Sequence, residues 1–252
     1  MIKSTASVSD PRVNHLLRDL PAEAWGRWEP YLESVELTRG QVLSESGRAP
    51  AYVYFPTTAI VSLLYMTENG ASSEIAVVGK DGVVGISLFM GGNTMPSEAV
   101  VQSAGQGYRL RAQQLTGEAD RGGVVRRLLL RYTQALIEQI AQTAVCNRYH
   151  SIDQLLCRRL LLGLDRLPTD ALMMTQELLA NLLGVRREGV TAAALKLQQA
   201  GVIRYSRGRI DVLDRARLEQ RSGTVASVRQ RTDPTGRPLH HPPMTGRVSL
   251  AS

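Results

Sequence analysis

From residue 119 to about residue 148 the chain contains no proline, and beyond Gly122 and Gly123 it contains no glycine. No other feature of the sequence limits the fold so strongly. Val125, Leu129, Tyr132, Leu136, Gln139, Thr143 and Cys146 recur at alternating spacings of four and three, the mark of one long helix with a heptad-like stripe. The second half of the stripe is polar, so it makes a weak coiled coil by itself. The expectation is a dimer seam that also packs against the chain's own β-rich part; the alternative is a helix packed only on its own domain. Either way, the helix divides the chain into two unlike halves.

Ahead of the helix the texture is β-rich. Residues 1–36 read as a helical segment, with "PRVNHLLRDL" and "PAEAWGRWEPYLESV" each carrying a proline where a first helical turn tolerates one. Over residues 37–118 the runs "AYVYF", "AIVSLLYM", "SSEIAVV", "VVGISLF", "SEAVVQS" and "GYRLRA" alternate with turn segments such as "GKDG" and "SAGQG". Regular short strands between glycine-rich turns predict an antiparallel β-roll.

Behind the helix (residues 119–148) the segment 149–221 has a different logic. With Gln176 as the first position of a helix-turn-helix, Ala180 falls where two helices cross closely and Gly184 where the turn needs a positive φ. Leu179, Leu183, Val185 and Val190 fall on buried positions, and Thr175 sits at the N-cap. A second helix over about 186–200 buries Val190, Ala193, Ala194 and Leu197 and turns Glu188, Thr191, Ala192, Leu195 and Gln199 outward. Leu195 on that outer side either packs on a neighbour or meets a thymine methyl. "VIRYSRGRIDVL" then reads as a hairpin with Gly208 in its turn, which completes a winged helix.

Charge is distributed to match. Residues 1–120 carry nine Lys+Arg and thirteen Asp+Glu, against twenty-one and ten in residues 121–252, and the whole chain is at +7. A basic back half points to a polyanion. Arg186, Arg187 and Glu188 crowd the first turn of the second helix, where the helix dipole disfavours cations. In a winged helix that end enters the DNA major groove. Arginine there bonds guanine and glutamate accepts from cytosine. The expected DNA-binding set is therefore Arg187 and Glu188 on bases, Arg186, Arg207 and Arg209 on phosphates, and Thr191 beside them.

A β-roll, a long helix and a C-terminal winged helix, in that order, resemble a Crp/Fnr-type transcription regulator over roughly residues 30–221. The sharpest piece is "ELLANLLGVRREGVTAAALKLQQAGVIRYSRGRIDVLD". The resemblance implies an α+β fold with a cyclic-nucleotide-binding-like roll. It also implies a cytoplasmic homodimer, and as partners double-stranded DNA with a pseudo-palindromic operator, and RNA polymerase, but no membrane. The family's base-reading Arg-Glu pair falls on Arg187 and Glu188. The family's N-cap Ser or Thr is Arg186 here, and the further arginine of the cAMP receptor protein is Ala192. The cyclic-nucleotide cassette departs more: Ile86 stands at its Glu position, Pro96 at its Arg position, and Ser97 alone remains.

Other classes fit less well. "GISLF" lacks the last glycine of a nucleophile elbow and "VVGKDG" is not a P-loop, so the expectation is no enzyme. No cofactor or metal is expected: His15 and His150 are isolated, and Cys146 and Cys157 form no metal-binding pair. A cyclic-nucleotide-binding-like module without DNA binding is opposed by the Arg187–Glu188 pair. RNA modules favour aromatic platforms, and residues 174–221 hold one aromatic, Tyr205. No apolar run reaches a membrane span. Residues 222–252, rich in Pro, Gly, Ser and Arg, read as a disordered tail.

Overall fold

Alternation of buried and exposed residues along short strands needs two sheets face to face, and the computed structural model supplies them. It describes residues 10–68, 72–92, 94–167 and 171–223; most of the tail expected to be disordered, and Pro168, lie outside them. Helices α1 (His15–Arg18) and α2 (Ala22–Trp28) lead into β1 (Glu33–Leu37), so the β-part begins inside the segment expected to be helical. Then come β2 (Val42–Ser44), β3 (Tyr52–Pro56), β4 (Ile60–Met66), β5 (Ser72–Val78), β6 (Ser97–Ser103) and β7 (Gly105–Arg111). One sheet runs β1-β7-β3 and the other β2-β6-β4-β5, antiparallel throughout. Leu37, Val53, Phe55, Val61, Val101 and Leu110 fill the space between them, and the Trp28 ring packs 5.9 Å from Phe55.

One run expected as a strand is not one. "VVGISLF" contributes a single bridge, Val84 to Tyr54, and then closes into a 3₁₀ turn at Ile86–Phe89. Gly85, at φ 106°, makes that change of direction, and a Cβ there would come 2.9 Å from Val53 Cγ1.

The long helix starts later than expected. α3 (Ala112–Asp120) stops before Gly122 and Gly123, both at positive φ, and α4 (Gly123–Tyr149) runs uninterrupted to His150. Ser151 then caps α5 (Ile152–Leu164) through a reciprocal capping box with Gln154. The winged domain follows: β8 (Ala171–Met173), α6 (Gln176–Leu183), α7 (Arg187–Gln199), β9 (Ile203–Ser206), β10 (Arg209–Val212) and α8 (Arg215–Arg221), with a β8-β10-β9 sheet. Its core joins Leu156, Leu160, Leu172, Leu179, Val190 and Ile210. Cys157 lies in this core, and burial pushes its thiol up to about 11, so it is an inert packing group.

Helix α4 lays the residues of the expected seam against its own chain. Val125, Leu129, Leu136, Gln139 and Cys146 are buried within the single chain, and Tyr132 and Thr143 are half-buried. Tyr132 Oη donates to Val83 O at 3.0 Å, and the Gln139 carboxamide bonds both Val77 N–H (2.8 Å) and Val77 C=O (3.2 Å). The heptad-like stripe is therefore the face turned to the chain itself, and most of it is covered. The exposed large apolar residues of α4 are Val124, Leu130, Ile137 and Val145.

The two domains also touch. Arg159 of α5 pairs with Glu74 of β5, Nε to Oε1 at 2.6 Å, with both side chains more than nine-tenths buried. Ser62 and Gln102 complete that polar cluster. Arg166, equally buried, pairs with Asp81 at 2.8 Å.

Candidate nucleic-acid interface

The geometry of the winged domain starts at Thr175, whose Oγ1 accepts from Leu178 N at 3.1 Å and fixes where α6 begins. Four residues into α6, Ala180 is buried, small enough for α7 to cross. Gly184 sits in the left-handed region at φ 64°, as the turn position requires. Arg186 is the N-cap of α7 and makes no capping bond through its side chain, so no side chain of the cap satisfies the first backbone N–H groups of the helix. Val190, Ala193, Ala194 and Leu197 pack inward, each at 1% exposure or less.

What remains outside is polar and largely uncommitted. Arg186, Arg187 and Glu188 are exposed, and among the described residues none of them has an ion pair. Arg187 and Glu188, although adjacent, do not satisfy each other. Thr191 is also exposed, but its hydroxyl lies 2.8 Å from Gln176 Oε1 and 3.0 Å from its own helix at Arg187 O. Its donor is thus used inside the protein. Leu195 is 53% exposed, so no neighbour in this chain packs over it.

The wing differs at its two arginines. Arg207 and Gly208 form the two-residue turn between β9 and β10, with φ 48° and 79°. Both values being positive identifies the hairpin turn whose twist matches its strands. Arg207 is the only described non-glycine residue at positive φ, and it has no ion pair among the described residues. Arg209 instead bonds Asp211 through Nε and Nη2, both at 2.8 Å, which raises its pKa and offsets its charge. Arg204 is exposed beside them.

In the roll, the positions of the nucleotide cassette face elsewhere. Ile86 is core, Ser97 is buried, and exposed Pro96 offers its carbonyl to Ser46 Oγ at 2.8 Å. Arg109 lies on the outer face of its sheet, paired with Glu33 at 2.6 Å and stacked 4.3 Å over Tyr52, and Arg111 is beside it. Neither reaches the interior in place of the missing arginine.

A family model of the cyclic nucleotide-binding domain matches residues 34–121, and one of the Crp-like helix-turn-helix domain matches residues 154–221. The chain is of the Crp/Fnr type. Among solved structures, this Crp/Fnr-type chain is similar over 84% of its length to all (100%) of a protein from Eubacterium rectale described as a transcriptional regulator of the Crp/Fnr family, at 18% identity and a TM-score of 0.66. FixK2 from Bradyrhizobium japonicum matches over 77% of this chain and 99% of its own, at 18% identity and 0.65. The c-di-GMP-responsive global regulator CLP of Xanthomonas campestris matches over 76% and 99%, at 15% identity and 0.59. At these identities the likeness is one of fold. No curated protein matches the chain.

The sequence reading missed the junction residues Glu74, Asp81, Arg159 and Arg166. One signal was present: Arg159 lies in "LLCRRLLLGL", where a cation amid leucines has to find a buried partner. No group of metal-ligating side chains occurs among the described residues, and no described helix is long and apolar enough to cross a membrane.

Proposed function

We propose that this DNA-binding regulator works as a homodimer that reads a pseudo-palindromic operator through α7, with a roll that does not take cAMP or cGMP in the family's manner. One observation carries the DNA reading: Arg187 and Glu188 are exposed and unpaired on the first turn of α7. A charged pair left in water beside a helix start is complementary to guanine and cytosine edges. The open N-terminus of α7 and Arg186 suit a phosphate, as does Arg207 at the wing tip. Arg209 contributes less, because Asp211 offsets it. Thr191 meets bases through its methyl group. RNA polymerase is the expected partner once the operator is occupied.

For the dimer, Val124, Leu130, Ile137 and Val145 are the large apolar side chains of α4 left exposed, so the second copy of the chain packs there. Ile137→Glu is expected to yield monomers in analytical ultracentrifugation, and a variant still dimeric at micromolar concentration overturns this face. The roll has lost both anchoring groups, since Ile86 cannot hold a ribose hydroxyl and Pro96 has neither charge nor N–H for a cyclic phosphate. Millimolar cAMP is therefore expected to leave the melting temperature unchanged; a rise would refute this part.

Selection of bound DNA from a random pool tests the whole reading. The expected product has two inverted half-sites with centres about 10 bp apart, or a multiple of that. A pool that yields no enriched sequence refutes it.

A further inference from the structure

Three consecutive residues at the start of α6 tie together the parts of the winged domain that are exposed for DNA. On the wing side, Met174 N donates to Gly208 O at 2.7 Å, and Met174 O accepts from Tyr205 Oη at 2.8 Å. A Cβ on Gly208 would meet Thr175 Cγ2 at 3.5 Å. On the α7 side, Thr191 Oγ1 donates to Gln176 Oε1 at 2.8 Å. The segment 174–176 thus joins the wing to the recognition helix.

Tyr205 is the long arm of that joint. It lies on β9, the outer strand of the β8-β10-β9 sheet, two positions before Arg207 at the wing tip. Its register partner is Ile210 on β10, yet its hydroxyl reaches past β10 to the residue that follows β8. The half-buried ring packs on the winged core, so the hydroxyl needs a partner there and the Met174 carbonyl is that partner. Burial raises the Tyr205 pKa, and the charge of Arg187 is near enough to oppose the rise. The phenol therefore keeps its proton at neutral pH and stays a donor.

Such a brace matters more for binding than for the fold. A wing free to swing about its base has to be ordered when it meets DNA, and that ordering subtracts from affinity. A wing already fixed brings its arginine to the phosphate with nothing left to order. We propose that Tyr205 is a positioning residue for DNA recognition, which holds the wing tip at a set span from α7 through Met174. Arg207 then stands at a phosphate whenever Arg187 and Glu188 stand in the groove. The role rests on Arg187 and Arg207 meeting DNA as proposed above.

The test uses the full chain and the operator duplex obtained by selection. Affinity is measured over a range of salt for the parent, Tyr205→Phe, Arg207→Ala and the double variant. Tyr205→Phe keeps the ring and loses only the hydroxyl. It should weaken operator binding by about five- to tenfold. Its slope of log K against log salt should fall towards that of Arg207→Ala, because the wing contact with phosphate is what it loses. The double variant should bind within about twofold of Arg207→Ala alone, since residues acting through one contact are not additive. A hydroxyl that served only the fold would lower the melting temperature and leave the slope at the parent value. The slope reads phosphates neutralised and not the fraction of chains folded, so it decides even where Tyr205→Phe is less stable. A parental slope in Tyr205→Phe overturns the proposal, as do two losses that simply multiply in the double variant. A parent chain that enriches no sequence fails before any variant is made, and that result rejects the DNA-binding reading together with this role.

Discussion

Arg159 on α5 and Arg187 on α7 lie in the same domain and meet opposite fates. Arg159 is withdrawn from water and clasped by Glu74, with Ser62 and Gln102 around it. Arg187 stays in water beside Glu188 without pairing with it. The first arginine serves the protein's own architecture, because a buried ion pair tolerates no loss of one partner. The second contributes almost nothing to the fold and keeps its donors free for another molecule. An arginine's role is thus read from its surroundings, since both sit on helices in basic runs.

Removing Glu74 should produce the largest effect. Glu74→Ala leaves Arg159 charged and unpaired in the junction, with an expected loss of about 3–5 kcal/mol measured by urea denaturation. The double change Glu74→Leu with Arg159→Met should recover most of it, since a matched apolar pair has no desolvation cost. A double variant as unstable as the single one would show that the cluster contributes more than charge balance.

Arg187→Ala should do the reverse. Stability should stay within about 0.5 kcal/mol of the parent, while affinity for the selected operator falls by about 1–3 kcal/mol and preference flattens at one base pair. A variant that keeps its ranking of sites would move base reading away from Arg187.

A smaller contrast lies within the wing. Arg207→Ala should lower the slope of log K against log salt by about 1 per site contacted, for all sequences alike. Arg209→Ala should lower it less, because Asp211 already faces that charge. Equal slopes for the two variants would mean that the Asp211 pair opens on DNA.

The mildest test uses acid. Glu118 is held below the usual carboxylate range, first by its hydrogen bond from Arg27. A lowered folded pKa gives stability that is present above the unfolded value, about 4.3, and lost as pH falls through the folded value. The melting temperature of the parent should therefore fall more than that of Glu118→Gln on acidification below about pH 4.5, and the two curves should converge. Parallel curves would deny the pair any part in stability.

Much of the winged domain was legible because each of its positions obeys a separate constraint. Gly184 takes the positive φ of the turn, Thr175 caps, and Ala180 is small, so the reading rested on several independent facts. The strand runs of the roll were legible by alternation, except at "VVGISLF", where β-branched residues continue past a glycine that turns the chain. The proposed dimer face was the hardest to read. Spacing tells which residues of α4 share a side and says nothing about what covers them. Val124, Leu130, Ile137 and Val145 are spaced six, seven and eight apart, too irregular to stand out, whereas the regular stripe faces the chain's own interior. The Arg159–Glu74 junction was beyond reach, since β5 and α5 meet there across more than eighty residues of chain.

The Gln139 side chain has one more consequence. β5 is the last strand of its sheet, and the carboxamide occupies both the N–H and the C=O of Val77 on its open border. A single side chain there imitates the missing next strand. Lateral extension by a foreign peptide or by another copy of the sheet is blocked at that residue. Gln139→Leu would keep the helix and leave the buried N–H and C=O of Val77 without partners, and the harm would appear as a loss of about 1–3 kcal/mol of stability.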